Sequence, residues 1–350
     1  MASPLPVSDL DFIHQSTRKL WQEVRGQRIF MTGGTGFFGC WLSESFAYIN
    51  RIEQLGASLT ILSRDPEAFA RKCPHIAHDP AISLLAGDAR DFAYPDGEFP
   101  FVIHAATDAG TKPALISSPG TLDTILRGTE HTLDFAASHG TKKFLLTSSG
   151  AVYGPQPPSI SHLSEDYKGA PDPTLCESVY AEGKRVAELL CAVYGAQYGI
   201  ECKIARCFAF VGPHLPLDAL FAMGNFLRDA MLDQKIQVKG DGRAKRSYMY
   251  ASDLAVWLWT ILFRAHAMTP INVGSEQVVS IQELARTIAQ IIQGEDSILI
   301  AQAENNSTPL QQYVPSVRKA EADLSLTCTV SLQDAIRKTA DWHSSGKKPV

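Results

Sequence analysis

Arg28-Ile29-Phe30-Met31-Thr32 runs directly into Gly33-Gly34-Thr35-Gly36-Phe37-Phe38-Gly39, and the reading of this stretch decides the fold. The first five residues form a short apolar run that stops at a glycine, the pattern of a strand buried on both faces. A helical pattern takes over at Phe38 and continues to about residue 55, with Gly56 in the C-cap position. Gly33, Gly36 and Gly39 have the spacing G-x-x-G-x-x-G rather than G-x-G-x-x-G. Glycines between a strand and a helix let the backbone come close to a pyrophosphate. The helix N-terminus then faces the negative charge.

Moving outward, residues 59–62, 82–85, 101–104, 143–147 and 202–208 are further short apolar runs. Helical stretches at 121–139 and 180–198 separate the later ones. Strands alternating with helices predict βαβ units, hence an α/β fold with a doubly wound parallel sheet of Rossmann type. Beyond about Val211 the chain is richer in proline and glycine, with helices expected near 220–232, 252–265, 281–292 and 331–343. Residues 1–25 read as a helical extension that packs back through Leu10, Ile13, Leu20, Trp21 and Val24. Residues 26–210 form the dinucleotide-binding domain. Residues 211–350 form mainly a substrate lobe, with room for interleaving, over the carboxyl edge where ligands of such sheets bind.

Composition narrows the function. The net charge of −5 offers no basic field for nucleic acid. The longest apolar run, residues 254–263, is about half a membrane span. Acids occur early, at Asp9 and Asp11, with no apolar signal core near them. The seven cysteines are scattered, odd in number and without metal spacing. They read as thiols of a cytoplasmic protein with no metal site.

Tyr180-Ala181-Glu182-Gly183-Lys184 is a Tyr-x-x-x-Lys, which places both side chains on one helix face. A nearby ammonium is expected to lower the tyrosine pKa, so that the phenol can exchange a proton with a carbinol while hydride moves to or from nicotinamide. Upstream, Thr147-Ser148-Ser149-Gly150-Ala151-Val152-Tyr153-Gly154 ends the fifth strand.

Taken together these segments resemble the extended short-chain dehydrogenases, specifically the NAD-dependent epimerase/dehydratase family that modifies nucleotide sugars. The glycine loop is similar to the family's Thr-Gly-Gly-x-Gly-x-x-Gly turn, so Gly33, Gly36, Phe37, Phe38 and Gly39 are cofactor-site candidates. In Gly87-Asp88-Ala89-Arg90-Asp91 the resemblance places Asp88 on adenine with Ala89 beside it. It places His104-Ala105-Ala106-Thr107 along the cofactor. The serine loop resembles Ser-Ser-x-x-Val-Tyr-Gly, which implies Ser149 as the substrate-bonding hydroxyl beside catalytic Tyr180 and Lys184. Arg206 through Pro213 and Arg246 through Ala255 continue the match to roughly residue 345. The asparagine of the first segment is replaced by Ala209. The resemblance implies a tightly bound dinucleotide, a nucleoside-diphosphate sugar as substrate and a homodimer built on the helices at 121–139 and 180–198. Leu126, Leu133, Leu189, Val193 and Tyr194 suit either that interface or the core.

Two points stay open at this level. Ser63-Arg64 stands where an acid would grip the ribose of NAD, and a serine with an arginine suits the 2′-phosphate of NADP. Family dehydratases carry Asp-Glu where this chain has Gly150-Ala151, and the decarboxylases usually carry a glutamate there. Neither residue here transfers protons. Glu165, Asp166, Cys176 and Glu177 are the nearby substitutes. C4 epimerisation leads, with reduction of a 4-keto sugar by NADPH, an atypical 4,6-dehydration and a non-catalytic dinucleotide-binding module as alternatives. For substrate contacts the candidates are Ser149, Asn225, Arg246 and Arg243, with Arg228 also weighed. Gln312 and Ser316 stand where a phosphate-binding arginine and an aspartate are usual, and Arg318 is the stand-in.

Overall fold

A computed structural model of the chain describes residues 1–107, 118–219, 221–294, 297–302 and 310–345. Its frame is a seven-stranded parallel sheet of β1 (Arg28–Thr32), β2 (Ser58–Ser63), β3 (Ile82–Ala86), β4 (Phe101–His104), β5 (Lys143–Ser149), β6 (Glu201–Cys207) and β7 (Ile271–Val273). The order is β7-β6-β5-β4-β1-β2-β3. The winding reverses between β1 and β4, which opens a crevice at their carboxyl ends.

Successive strand residues point to opposite faces, and the core divides accordingly. Phe30, Val102, Phe144, Leu146 and Cys202 face α3 (Pro119–Ser138) and α4 (Val179–Tyr198). Ile29, Met31, Ile61, Ile103 and Leu145 face the other way. There they meet α2 (Phe37–Ile52) and α6 (Ala251–Arg264), for which α1 (Val7–Thr17) forms a further layer. The longest apolar run of the sequence is this α6, buried along nearly its whole length. A helix apolar on all sides belongs in a core.

The second lobe holds α5 (Ala222–Met231), α7 (Ile281–Ile292), α8 (Leu332–Ser345) and small sheets. Ile236–Val238 pairs with Ile298–Ile300. Lys245–Arg246 lies between Val279–Ser280 and Gln312–Tyr313. The main sheet takes its last strand, β7, and its backing helix α6 from beyond residue 211, so the two parts interleave.

Residues 7–24 are helical, and this N-terminal segment belongs to the main core. Ile13, Trp21 and Val24 are fully buried, and the Trp21 ring meets that of Trp259 edge-on at 4.9 Å. Tyr250 donates to Asp9 at 2.7 Å. Lys143 reaches Glu23 at 2.5 Å. One boundary differs from the sequence pattern. The helix after the glycine loop ends at Ile52, because Glu53 closes on Ile49 and Gln54 turns left-handed before Gly56 is reached.

Candidate active site

The glycine loop sits at the sheet's reversal point. Gly33 has φ +73°, and a Cβ there would fall 2.4 Å from the Ala105 carbonyl group at the end of β4. Only glycine fits that approach. Gly36 caps α2, so the helix starts at Phe37 with its first N–H groups turned to the loop. Phe38 packs edge-on against Phe210 at 5.1 Å. The Thr107 hydroxyl is buried and has no hydrogen-bond partner among the described residues. A tight backbone cradle, a helix N-terminus and an unpaired buried hydroxyl suit a dinucleotide pyrophosphate.

The structure shows the surroundings of three of the residues expected here. His104 does not turn its ring to the cofactor side. The ring is 1% exposed, held by Thr32 at 2.8 Å and Thr129 at 3.2 Å. Burial pushes its pKa down to about 3, so it is neutral. Ala105 and Ala106 meet Gly33 instead. Ala89 is buried and packs against Gly128 of α3. Asp88 already has a partner that sequence reasoning missed, since Arg90 donates to its two oxygens at 2.9 and 3.1 Å and bonds Asp123 as well. Those bonds, with Arg64 nearby, hold Asp88 below the usual carboxylate range. Ser63 is buried and accepts from the Asp65 N–H at 3.2 Å, whereas Arg64 is exposed.

The structure brings Ser149, Tyr180 and Lys184 together at the ends of β5 and α4. Lys184 donates to the Thr147 carbonyl at 2.9 Å, with Nζ 6.0 Å from the Tyr180 ring centre. The Ser149 hydroxyl lies beside Tyr180 and favours its phenolate. The expected lowering of the tyrosine pKa is not found. Burial pushes Tyr180 up to about 12 against the Ser149 hydroxyl, and burial pulls Lys184 down to about 8. Desolvation outweighs the ammonium because that charge is itself buried and directed at a carbonyl.

Tyr313 is the residue the sequence did not single out. Its hydroxyl lies 3.4 Å from Ser149 Oγ and 3.4 Å from the Cys207 carbonyl. Its ring packs 4.6 Å from that of Phe208. Phe208 in turn covers Gly150, where a Cβ would fall 2.5 Å from the ring. Below the serine loop a polar chain fixes β5, α4, β6 and β7. Ser148 donates to Glu188 at 2.6 Å, Arg206 forks onto Glu188, and Tyr153 donates to Asn272 at 2.8 Å. Glu165 belongs to this scaffold, since it accepts from the Asn272 N–H at 2.8 Å. Asn272 stands level with Ser148 but two strands away, about 10 Å at ordinary strand spacing. Cys176 and Glu177 lie exposed just before α4.

The second lobe contains a cleft of about 1100 Å³, lined among others by Asn225, Arg228, Lys235, Lys239 and Arg243. Arg243 pairs with Asp241 and Arg228 with Asp229, each at 2.8 Å. Arg246 is not in that lining. Its strand pairs with Tyr313, which links it to the serine centre. Gln312 faces Lys245 in the same ladder, Ser316 donates to Glu276, and Arg318 is exposed outside the cleft.

The profile of the NAD dependent epimerase/dehydratase family matches residues 29–274. The chain belongs to this family. As a family member it is an NAD-dependent enzyme. UDP-glucuronic acid decarboxylase 1 of Xenopus tropicalis is 30% identical over 325 residues, 93% of this chain and 74% of that protein. UDP-glucuronic acid decarboxylase 3 of Arabidopsis thaliana is 30% identical over 314 residues, 88% and 86% of the two chains. Among solved structures, UDP-glucuronic acid 4-epimerase from Bacillus cereus, in complex with UDP-glucuronic acid and NAD, has a TM-score of 0.75 at 20% identity. That match covers 91% of this family member and 99% of the other chain. UDP-glucose 4-epimerase from Thermotoga maritima has a TM-score of 0.74 at 16% identity, covering 92% and 100%. These two likenesses bear on the fold. Among the described residues no helix is long and apolar enough to cross a membrane.

Proposed function

We propose that this enzyme interconverts the C4 epimers of a nucleoside-diphosphate sugar through a 4-keto intermediate. The observation that carries the reading is the pairing of a complete Ser149–Tyr180–Lys184 centre with a serine loop that has no acid or base. Gly150 is closed off by Phe208, Ala151 is inert, and Glu165 is committed to Asn272. The geometry thus equips the site for oxidation and reduction at one carbon and leaves elimination without its proton carriers. UDP-sugar relatives support the substrate class.

The residues divide the work as follows. The Gly33–Gly39 cradle would hold NAD, which would serve as hydride acceptor and donor. Tyr180 takes the C4 hydroxyl proton during oxidation and gives it back during reduction. Ser149 holds the same oxygen, and Tyr313 holds Ser149 in place. Lys184 stays fixed by the Thr147 carbonyl and stabilises the phenolate when it forms. With its pKa at about 12 the resting phenol is protonated, ready to donate to a keto oxygen. Arg246 and the cleft cations hold the diphosphate. The cofactor reading is NAD, in keeping with the NAD dependent family whose profile the chain matches.

A second reading is favoured by the decarboxylase relatives. Oxidation at C4 of a hexuronic acid gives a β-keto acid, which loses carbon dioxide without a dedicated acid at residue 150 or 151. One experiment separates the readings. The protein as purified is incubated with UDP-, dTDP-, GDP- and CDP-hexoses and with UDP-glucuronic acid, and products are followed by NMR. C4 epimers are expected. A UDP-pentose moves the assignment to decarboxylation. A 4-keto-6-deoxy sugar overturns the argument from Gly150 and Ala151.

We place a homodimer on the α3–α4 face. The structure separates the apolar candidates there, with Leu133 in the core and Leu189 and Val193 61% and 48% exposed on α4. Leu189→Glu is expected to give a monomer by light scattering, and an unchanged mass excludes this face.

A further inference from the structure

Several ligand-type side chains that the proposed chemistry does not use meet in one buried spot beside the phosphate loop. Cys40 lies in the first turn of α2, with Sγ 3.9 Å from the Thr35 carbonyl. Cys73 closes the short helix Pro66–Lys72 between β2 and β3. His214 follows Gly212-Pro213, where the chain enters the second lobe, and holds a left-handed φ of +68°. Cys40 and Cys73 are 1% and 0% exposed, and the His214 side chain 2%. The two Sγ atoms and an imidazole nitrogen of His214 all lie within 4.8 Å of one another.

The imidazole distinguishes its two nitrogens. Nε2 is 2.9 Å from Glu44 Oε1. Nδ1 is buried and has no hydrogen-bond partner among the described residues. Glu44 also accepts from the Leu5 N–H at 2.7 Å and lies 3.1 Å from His75 Nε2. Its carboxylate is therefore fixed, and it orients the His214 ring so that Nδ1 stays available.

We propose that Cys40, Cys73 and His214 Nδ1 bind a zinc ion. Tetrahedral zinc with Zn–S near 2.3 Å and Zn–N near 2.0 Å sets its donors roughly 3.3–3.8 Å apart, which these side chains reach by small rotations. Two thiols and an imidazole select a borderline-soft cation over calcium or magnesium, which require oxygen donors. The carboxylate that accepts from the second ring nitrogen is the usual outer partner of a metal-bound histidine. Each thiol releases its proton on binding. The ion joins the helix that presents its N-terminus to the pyrophosphate, the β2–β3 connection and the entry to the substrate lobe. Its role is positional, because no donor touches the Ser149–Tyr180 centre.

The test uses the full-length chain, purified from zinc-supplemented cells in reducing buffer without chelator. Elemental analysis is expected to find about one zinc per chain. Replacement by cobalt(II) gives thiolate charge-transfer and tetrahedral d–d bands. Cys73→Ser and His214→Gln lose the metal, while Cys176→Ser, at an exposed thiol, keeps it. Glu44→Gln weakens affinity about ten- to a hundred-fold. Should Cys73→Ser fail to fold, the wild-type cobalt spectrum and the Glu44→Gln shift decide the matter. Absence of retained zinc together with absence of thiolate–cobalt bands overturns the proposal. So does a Cys40–Cys73 disulfide found in place of metal by alkylation before reduction.

Discussion

The sheet edge and the second lobe contribute to the site in opposite ways. At the edge, the proposed site is built from backbone and buried side chains packed to contact, with Gly33 against Ala105, Lys184 on the Thr147 carbonyl and Ser149 beside Tyr180. In the lobe it is built from charged side chains already paired, Arg243 with Asp241 and Arg228 with Asp229. A site made of close contacts fails with one substitution. A site made of exchangeable ion pairs degrades by steps, because each partly exposed pair is worth little alone.

Four measurements sharpen or break that contrast, from the largest expected effect down. Tyr180→Phe is expected to lower kcat by about 10²–10⁴-fold with dinucleotide affinity unchanged, since only proton transfer is removed. A variant that keeps full activity would refute the assignment of Tyr180 as the proton carrier. Gly33→Ala is next. The clash and the positive φ are expected to cost about 1–3 kcal/mol and to abolish detectable NAD binding by calorimetry. Wild-type affinity in that variant would mean the loop lies elsewhere.

The pH profile of kcat/KM comes third. The phenolate needed for oxidation grows with pH below the Tyr180 value of about 12, and Lys184 loses its proton near 8. The rate should therefore climb about tenfold per pH unit and flatten once the ammonium that favours the phenolate is gone. A flat profile on the acid side contradicts the burial argument. Arg243→Gln is expected to show the smallest effect, a rise in KM of about 2–5-fold with kcat kept, because Asp241 already holds part of that charge. A hundred-fold loss would make the lobe as unforgiving as the sheet edge.

The same contrast explains what was legible in the sequence. Gly33 to Gly39 and Tyr180 to Lys184 are local patterns, so spacing together with the family resemblance pointed to the fold and to the proposed centre of the site. Strand β7 is three residues long and pairs with β6 across a long loop, so no local period announces it. Tyr313 reaches Ser149 only because its two-residue strand pairs with Arg246. The direction of the Tyr180 shift depends on burial, which a Tyr-x-x-x-Lys pattern does not encode. The direction of the His104 ring was not legible because a strand-end histidine can face either the ligand or the core, and two threonines hold it in the core. The proposed donors Cys40, Cys73 and His214 come from three distant segments, which no local spacing would bring together.

The family profile begins at residue 29, yet the molecule does not. Trp21 is wedged against Trp259, Asp9 takes the Tyr250 hydroxyl and the Lys338 ammonium, and Trp342 donates to the Pro4 carbonyl at 3.0 Å. The two ends of the described chain are thus clasped on one wall of the protein. A shortened version starting at the homology boundary would strip aromatic rings bare and strand a phenol in the interior. For anyone trimming this enzyme to its catalytic minimum, the first two dozen residues are masonry rather than scaffolding.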